Sequence, residues 1–166
     1  MTVDELKRLL RLEPLPGEGG CFAETYRARE SLPAGALGPG WPGPRSLATA
    51  IYYLLTPETF SALHRLRADE IFHFYFGDAV EMLQLMPDGS GRTVRLGTDL
   101  AAGMRPQVVV PKDVWQGSRL VPGGAFALLG TTVSPGFDPA DYETGSREAL
   151  LAAYPAFRER NAALTR

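Results

Sequence analysis

Both histidines of this chain fall inside one ten-residue stretch, His64-Arg65-Leu66-Arg67-Ala68-Asp69-Glu70-Ile71-Phe72-His73, with Glu70 between them. Histidine is the side chain whose ordinary pKa lies nearest neutrality, so it serves as general base, general acid or metal ligand. A carboxylate beside it either shares a metal ion or orients the imidazole. A plainer reading competes, because a histidine in a β-rich chain is commonly a hydrogen-bonded framework residue. Cys21, the sole cysteine, follows Gly19 and Gly20 with no histidine or cation close by in sequence. It reads as a buried thiol rather than a nucleophile.

The elements that must position these residues are mostly strands. Residues 47–55, 71–85, 93–96, 108–110 and 125–133 are rich in β-branched, aromatic and aliphatic side chains, with Gly and Pro punctuating them, and residues 21–27 have the polar/apolar mixture of a strand near an edge. Short strands at such spacing, without helices between them, predict a sandwich or barrel. Pro87-Asp88-Gly89-Ser90-Gly91 reads as a hairpin turn. Residues 33–44 are dominated by Gly and Pro and form a long loop, in which Trp41 either pins the loop or borders a site. At the N-terminus Thr2 and Glu5 have capping-box spacing, Val3, Leu6, Leu9 and Leu10 recur at helical spacing, and Pro14 is the stop. Near the C-terminus residues 147–153 and 155–164 have helical propensity. Leu150, Leu151, Tyr154 and Phe157 supply an apolar stripe to pack onto the sandwich. The chain therefore divides into a helix at about 2–12, a barrel at about 18–135 and a helical tail at about 146–164, all one domain over 1–166.

Bulk properties exclude some function classes. Net charge is −2 and the basic residues are scattered, so no basic stripe exists to displace counterions from nucleic acid. No apolar run approaches the ~20 residues needed to cross a bilayer. Acids stand near the N-terminus where a secretory signal would be basic, and one cysteine permits no internal disulfide. The expected setting is cytoplasmic, with neither nucleic acid nor membrane as partner.

The spacing around His64 resembles the first motif of the cupin superfamily, a pair of histidines two positions apart followed by a glutamate and a glycine. His64, Glu70 and Gly77 fall in register, while Leu66 stands at the second histidine. In the second cupin motif Pro111 matches the proline, Asp113 stands at the glycine, and Gln116 falls at the last metal-binding histidine. Segments 19–27, 50–55, 60–66, 69–78, 114–116 and 133–138 extend the likeness across most of residues 17–143. They resemble the cupin branch known as domain-of-unknown-function family 985.

The resemblance implies an all-β fold, the cupin double-stranded β-helix or jelly-roll barrel, with a short N-terminal helix and C-terminal helices. It also implies a homodimer and a small-molecule pocket inside the barrel. His64, Glu70 and Gln116 are the carried-over site residues. As a metal set they would hold a divalent ion only weakly, since Leu66 offers no donor and Gln116 a neutral oxygen. Residues two apart on a strand share a face, so Glu70 directed inward predicts Phe72, Phe74 and Phe76 as an aromatic wall around a ligand. His73 and Tyr75 would then face outward unless a bulge resets the register, which keeps His73 a candidate ligand contact. Trp115 faces outward by the same parity.

Cupin-fold sugar-nucleotide epimerases work without a metal, and by analogy His64 with Glu70 or Asp69 would be the base and Tyr53 or Tyr75 the acid. Three functions stay open. They are a metal-independent epimerase, isomerase or lyase for a sugar-like or acidic metabolite, a non-catalytic binding or storage protein, and a metal-dependent enzyme with an incomplete ligand set.

Overall fold

The chain opens on α1 (Val3–Leu10), capped as its spacing predicts: the Thr2 hydroxyl accepts from the Glu5 N–H, and the Glu5 carboxylate accepts from the Thr2 N–H at 2.7 Å. The helix ends before Pro14, at Arg11, whose left-handed backbone (φ 54°) turns the chain. In this computed structural model, which describes residues 1–166, short strands follow in chain order. They are β1 (Glu13–Pro14), β2 (Cys21–Arg27), β3 (Ser31–Leu32), β4 (Arg45–Ser46), β5 (Thr49–Leu55), β6 (Ser61–Leu66) and β7 (Asp69–Gly77). Then come β8 (Val80–Leu85), β9 (Gly91–Leu96), β10 (Gln107–Val110), β11 (Trp115–Leu120), β12 (Ala127–Ser134) and β13 (Tyr142–Thr144). Two helices, α2 (Arg147–Ala153) and α3 (Arg158–Ala163), close the chain, with Pro155 opening a 3-10 turn between them.

Two antiparallel sheets face each other, in the orders β1-β2-β5-β12-β7-β10 and β13-β6-β11-β8-β9, and β3 and β4 form a separate ribbon. Their facing sides bury Tyr53, Leu55, Phe72, Phe74, Met82, Leu96 and Leu129 in the main core. The outer sides are covered unequally. Leu6 and Leu12, within and just beyond α1, bury Cys21, Leu54 and Leu128 on the larger sheet. The helical tail lays Leu150, Tyr154 and Leu164 against Leu63, Leu83 and Leu85 of the smaller one. Trp115, outward as parity predicts, packs under that tail with the Arg65 guanidinium 4.6 Å from its ring centroid.

The alternation along β7 holds only as far as Phe74. Glu70, Phe72 and Phe74 are buried, but Phe76 is exposed. The ladder with β12 explains this: Leu129 pairs with Phe74 and Leu128 with Phe76, so Tyr75 is an extra residue and the pleat resets after it. Phe76 therefore lies on the outer side, edge-on to Phe126, and the expected third member of the aromatic wall is absent.

Two strands that carry site residues, β6 and β11, lie outside the strand segments expected from composition, because Ser, Arg, Gly and Gln dilute their apolar pattern. The 33–44 loop is pinned, as Trp41 allowed: its ring packs with Leu66, Ala68 and Val133, and the Arg67 guanidinium donates to the Gly40 carbonyl at 2.7 Å. Arg45 and Asp141, both buried, join this region to the segment before β13 through two hydrogen bonds of 2.6 and 2.9 Å.

Candidate functional site

Between the sheets, at the end where β2, β5, β6, β7 and β12 converge with the segment before β13, lies a cavity of about 400 Å³. Glu18, Tyr53, His64, Glu70, Thr131 and Tyr142 form its polar part, and Leu15, Phe22, Ile51, Leu66, Val133 and Phe137 its apolar walls. Glu24 and Arg27 stand at the mouth, half exposed, and the Arg27 guanidinium is held by both oxygens of Glu24 and by the Phe137 carbonyl.

His64 sits directly opposite Gln116 in the β6–β11 ladder. Its Nδ1 lies 2.8 Å from the Ala62 carbonyl, which only accepts, so Nδ1 carries the proton. Nε2 is then the inward lone pair, and it accepts from the Gln116 amide nitrogen at 2.8 Å. The same nitrogen donates to Glu70 Oε2, also at 2.8 Å. Gln116 thus spends both amide hydrogens on tying the histidine to the carboxylate, while its own Oε1 is buried without a partner. Tyr142 stacks on the imidazole, with ring centroids 4.9 Å apart and planes 21° from parallel.

Glu18 stands on the other side of His64, its Oε2 3.8 Å from Nε2 and its Oε1 accepting from the Ser61 hydroxyl at 2.8 Å. The glycine pair after it makes this position possible. Gly20 has a positive φ of 71°, and a Cβ there would sit 2.9 Å from the Tyr53 hydroxyl. The Tyr53 hydroxyl itself donates to the Gly19 carbonyl at 2.9 Å.

Burial and charge perturb the acids of the cavity. Desolvation pushes Glu70 up to about 7; the positive charge His64 bears when protonated offsets part of this, and the negative Glu18 adds to it. Burial, and then the charge of Glu18, push the Tyr53 and Tyr142 hydroxyls well above the ordinary phenol range. Neither phenol readily gives up a proton near neutral pH, whereas Glu70 does.

Of the residues expected at the site, the structure brings Tyr53, His64 and Glu70 to the cavity wall and sets Gln116 immediately behind them. The others lie elsewhere. Phe72 and Phe74 point inward but belong to the main core and do not line the cavity. His73 faces away, with Nε2 at 3.1 Å from the Thr132 hydroxyl and Nδ1 near the Gln107 amide. Tyr75 is exposed, its ring edge-on to Tyr52 at 6.0 Å, so it is not placed to act as an acid in this cavity. Asp69 is directed outward and accepts from the Lys112 N–H. Sequence reasoning missed Glu18, Thr131 and Tyr142. The one available signal was the Gly19-Gly20 pair, which marks a close backbone approach next to Glu18.

The donors do not fit a resident metal ion. Glu18, His64 and Glu70 share the cavity, but no three His, Cys, Asp or Glu side chains stand in a geometry that could hold a metal ion. Leu66 presents a hydrocarbon at the cavity wall, and the lone pairs of His64 Nε2 and Glu70 Oε2 are engaged by the hydrogens of Gln116.

Two facing antiparallel sheets enclosing such a cavity, with small helices outside, define a cupin jelly roll. A protein of this architecture from Shewanella oneidensis, SO0799, superposes with a TM-score of 0.87 at 38% identity, covering 100% of this chain and 98% of that one. A hypothetical protein from Leishmania major superposes with a TM-score of 0.89 at 28% identity, covering 99% of each chain. Oxalate decarboxylase of Bacillus subtilis shares the fold at 13% identity, with a TM-score of 0.54 over 92% of this chain and 37% of that one. The yeast (Saccharomyces cerevisiae) uncharacterized protein YML079W is 32% identical over 133 residues, 75% of this chain and 66% of the yeast protein's length. The family model described as Cupin superfamily (DUF985) matches residues 4–145. The chain belongs to that family.

Proposed function

We propose that this cupin binds a metabolite-sized molecule in the 400 Å³ cavity and moves a proton on it without a metal, as an isomerase or epimerase does. One observation carries the reading: His64 and Glu70 line the same cavity and are coupled through the amide of Gln116. His64 presents an unprotonated Nε2 and is the base. Glu70, with its carboxyl near neutrality, is the acid. The roles earlier open to Tyr53 pass to Glu70, because the Tyr53 hydroxyl is committed to the Gly19 carbonyl and its pKa is raised. Gln116 is a positioning residue, because its amide nitrogen sets the His64 lone pair and the Glu70 carboxyl in register.

The second reading, binding without turnover, is favoured by that same amide, which caps both reactive groups. One experiment separates the two. The small molecule retained by the purified protein is identified by mass spectrometry and then incubated with fresh protein in deuterium oxide. Protein-dependent incorporation of deuterium at carbon, lost in His64→Ala and in Glu70→Gln, is the expected result. Retention of a ligand that stays unlabelled for hours would leave binding alone.

A further inference from the structure

The charge inside the cavity goes further than the reading just made, on which it rests, and selects a class of ligand. Besides His64, the acidic and basic side chains that line the space are Glu18, Glu24, Glu70 and Arg27. The one cation is spent. Arg27 lies at the mouth, where Glu24 takes its Nε and Nη2 hydrogens at 2.9 and 2.7 Å and the Phe137 carbonyl takes Nη1. Water screens that pair, since both side chains are more than a third exposed. No further guanidinium or ammonium lines the cavity beside the two interior carboxyl groups; Arg166, outside the lining, is engaged with the Gly17 and Glu18 carbonyls. Glu18 and Glu70 flank His64, whose Nε2 carries no proton, and Glu70 is buried. An interior carboxylate in a low dielectric is costly unless a cation or several hydrogen-bond donors answer it.

The groups around these carboxylates match the same ligand. Phe22, Phe137 and Tyr142 line the cavity, and aromatic rings attract cations to their faces. The buried Tyr142 hydroxyl has no hydrogen-bond partner and offers a further acceptor to an N–H donor. Burial is the main cause of the raised pKa of Tyr53 and of Tyr142; the charge of Glu18 adds to it at both, and Arg166 opposes it at Tyr142. A carboxylate or phosphate would enter this field with no free cation to receive it.

We infer that the cavity selects a small organic cation, an amidine, amine or protonated nitrogen heterocycle on an apolar or aromatic body, over the acid of the same shape. Glu18 and Glu70 hold the N–H groups, and the apolar wall of Leu15, Ile51 and Val133 holds the body.

Three probes of one shape test this on the full-length protein: benzamidine as cation, benzamide as neutral isostere and benzoate as anion. Titration calorimetry near neutral pH is expected to show benzamidine binding about tenfold or more tightly than benzamide, with benzoate weakest. Glu18→Gln together with Glu70→Gln should bring the cation and the amide within about threefold of each other. If the double variant fails to fold, Glu18→Gln alone keeps the test readable, since its Oε1 still accepts from Ser61. Ala50→Phe, which fills the cavity from its wall, should abolish binding of all three. Benzamide or benzoate binding as tightly as benzamidine, and blocked by Ala50→Phe, would overturn the cation preference and leave the small-molecule reading standing. No binding by any probe, or binding that Ala50→Phe does not disturb, would overturn both.

Discussion

Glu70 is where a single residue decides most. Its folded-state pKa of about 7 stands above its ordinary value of 4.5, so the folded protein holds this proton more tightly than the unfolded chain does. For a carboxyl shifted upward, stability is highest below the ordinary value and falls as pH rises from about 4.5 to about 7. At about 1.4 kcal/mol per pKa unit the loss across that window is on the order of 3 kcal/mol. Glu70→Gln keeps an oxygen for the Gln116 amide and removes the charge, so it should flatten this part of the pH profile and gain stability above neutrality. Urea denaturation of both proteins at pH values on either side of the window measures the difference. A wild-type-to-variant gap that did not change with pH would show that burial does not control this carboxyl.

At the scale of the element, α1 contributes packing and no site residue. Leu6 and Leu12 are buried against Cys21, Leu54 and Leu128, and a buried leucine is worth roughly 1.5–3 kcal/mol. Deleting residues 1–12 should therefore cost about 3–6 kcal/mol at most while leaving the β signal in circular dichroism intact. Cys21, now under the helix, should become reactive toward a thiol reagent in the truncated protein and stay slow in the intact one. Collapse of the β signal would show that α1 nucleates the sheet rather than covering it. The bulge at Tyr75 is the other decisive local device, because it turns Phe76 out of the barrel.

For the whole molecule, the outer side of the larger sheet is left partly bare. Met1, Leu9, Tyr52, Tyr75 and Phe76 line an apolar groove beside α1, and Leu9, Tyr75 and Phe76 are exposed. Apolar surface gathered in this way is usually covered in solution. A second copy of the chain, pairing about a two-fold axis, is the occupant we expect. Light scattering should give twice the 18.0 kDa chain mass, and Leu9→Lys with Phe76→Lys should shift the protein to monomer. A wild-type monomer at micromolar concentration would count against pairing.

Much of this was legible in the residues themselves. The capping box of Thr2 and Glu5, the hairpin at Asp88 and Ser90, the punctuated strands and the spacing of His64, Glu70 and Gly77 are local patterns, set by backbone and side-chain preferences a few residues apart. The punctuated strands were enough to expect a sandwich or barrel, and the resemblance to the cupin motifs placed His64 and Glu70 inside it. What only the tertiary structure decided depends on neighbours far apart in sequence. Gln116 meets His64 because β11 lies beside β6, Tyr142 stacks on the same imidazole because β13 caps that sheet, and Glu18 reaches it across a glycine pair. The strand alternation that placed Phe72 and Phe74 inward could not show that they fill the core, nor that an inserted Tyr75 sends Phe76 outward. Which inward-facing residues border empty space depends on how the two sheets close on each other, and no periodicity along the chain carries that distance.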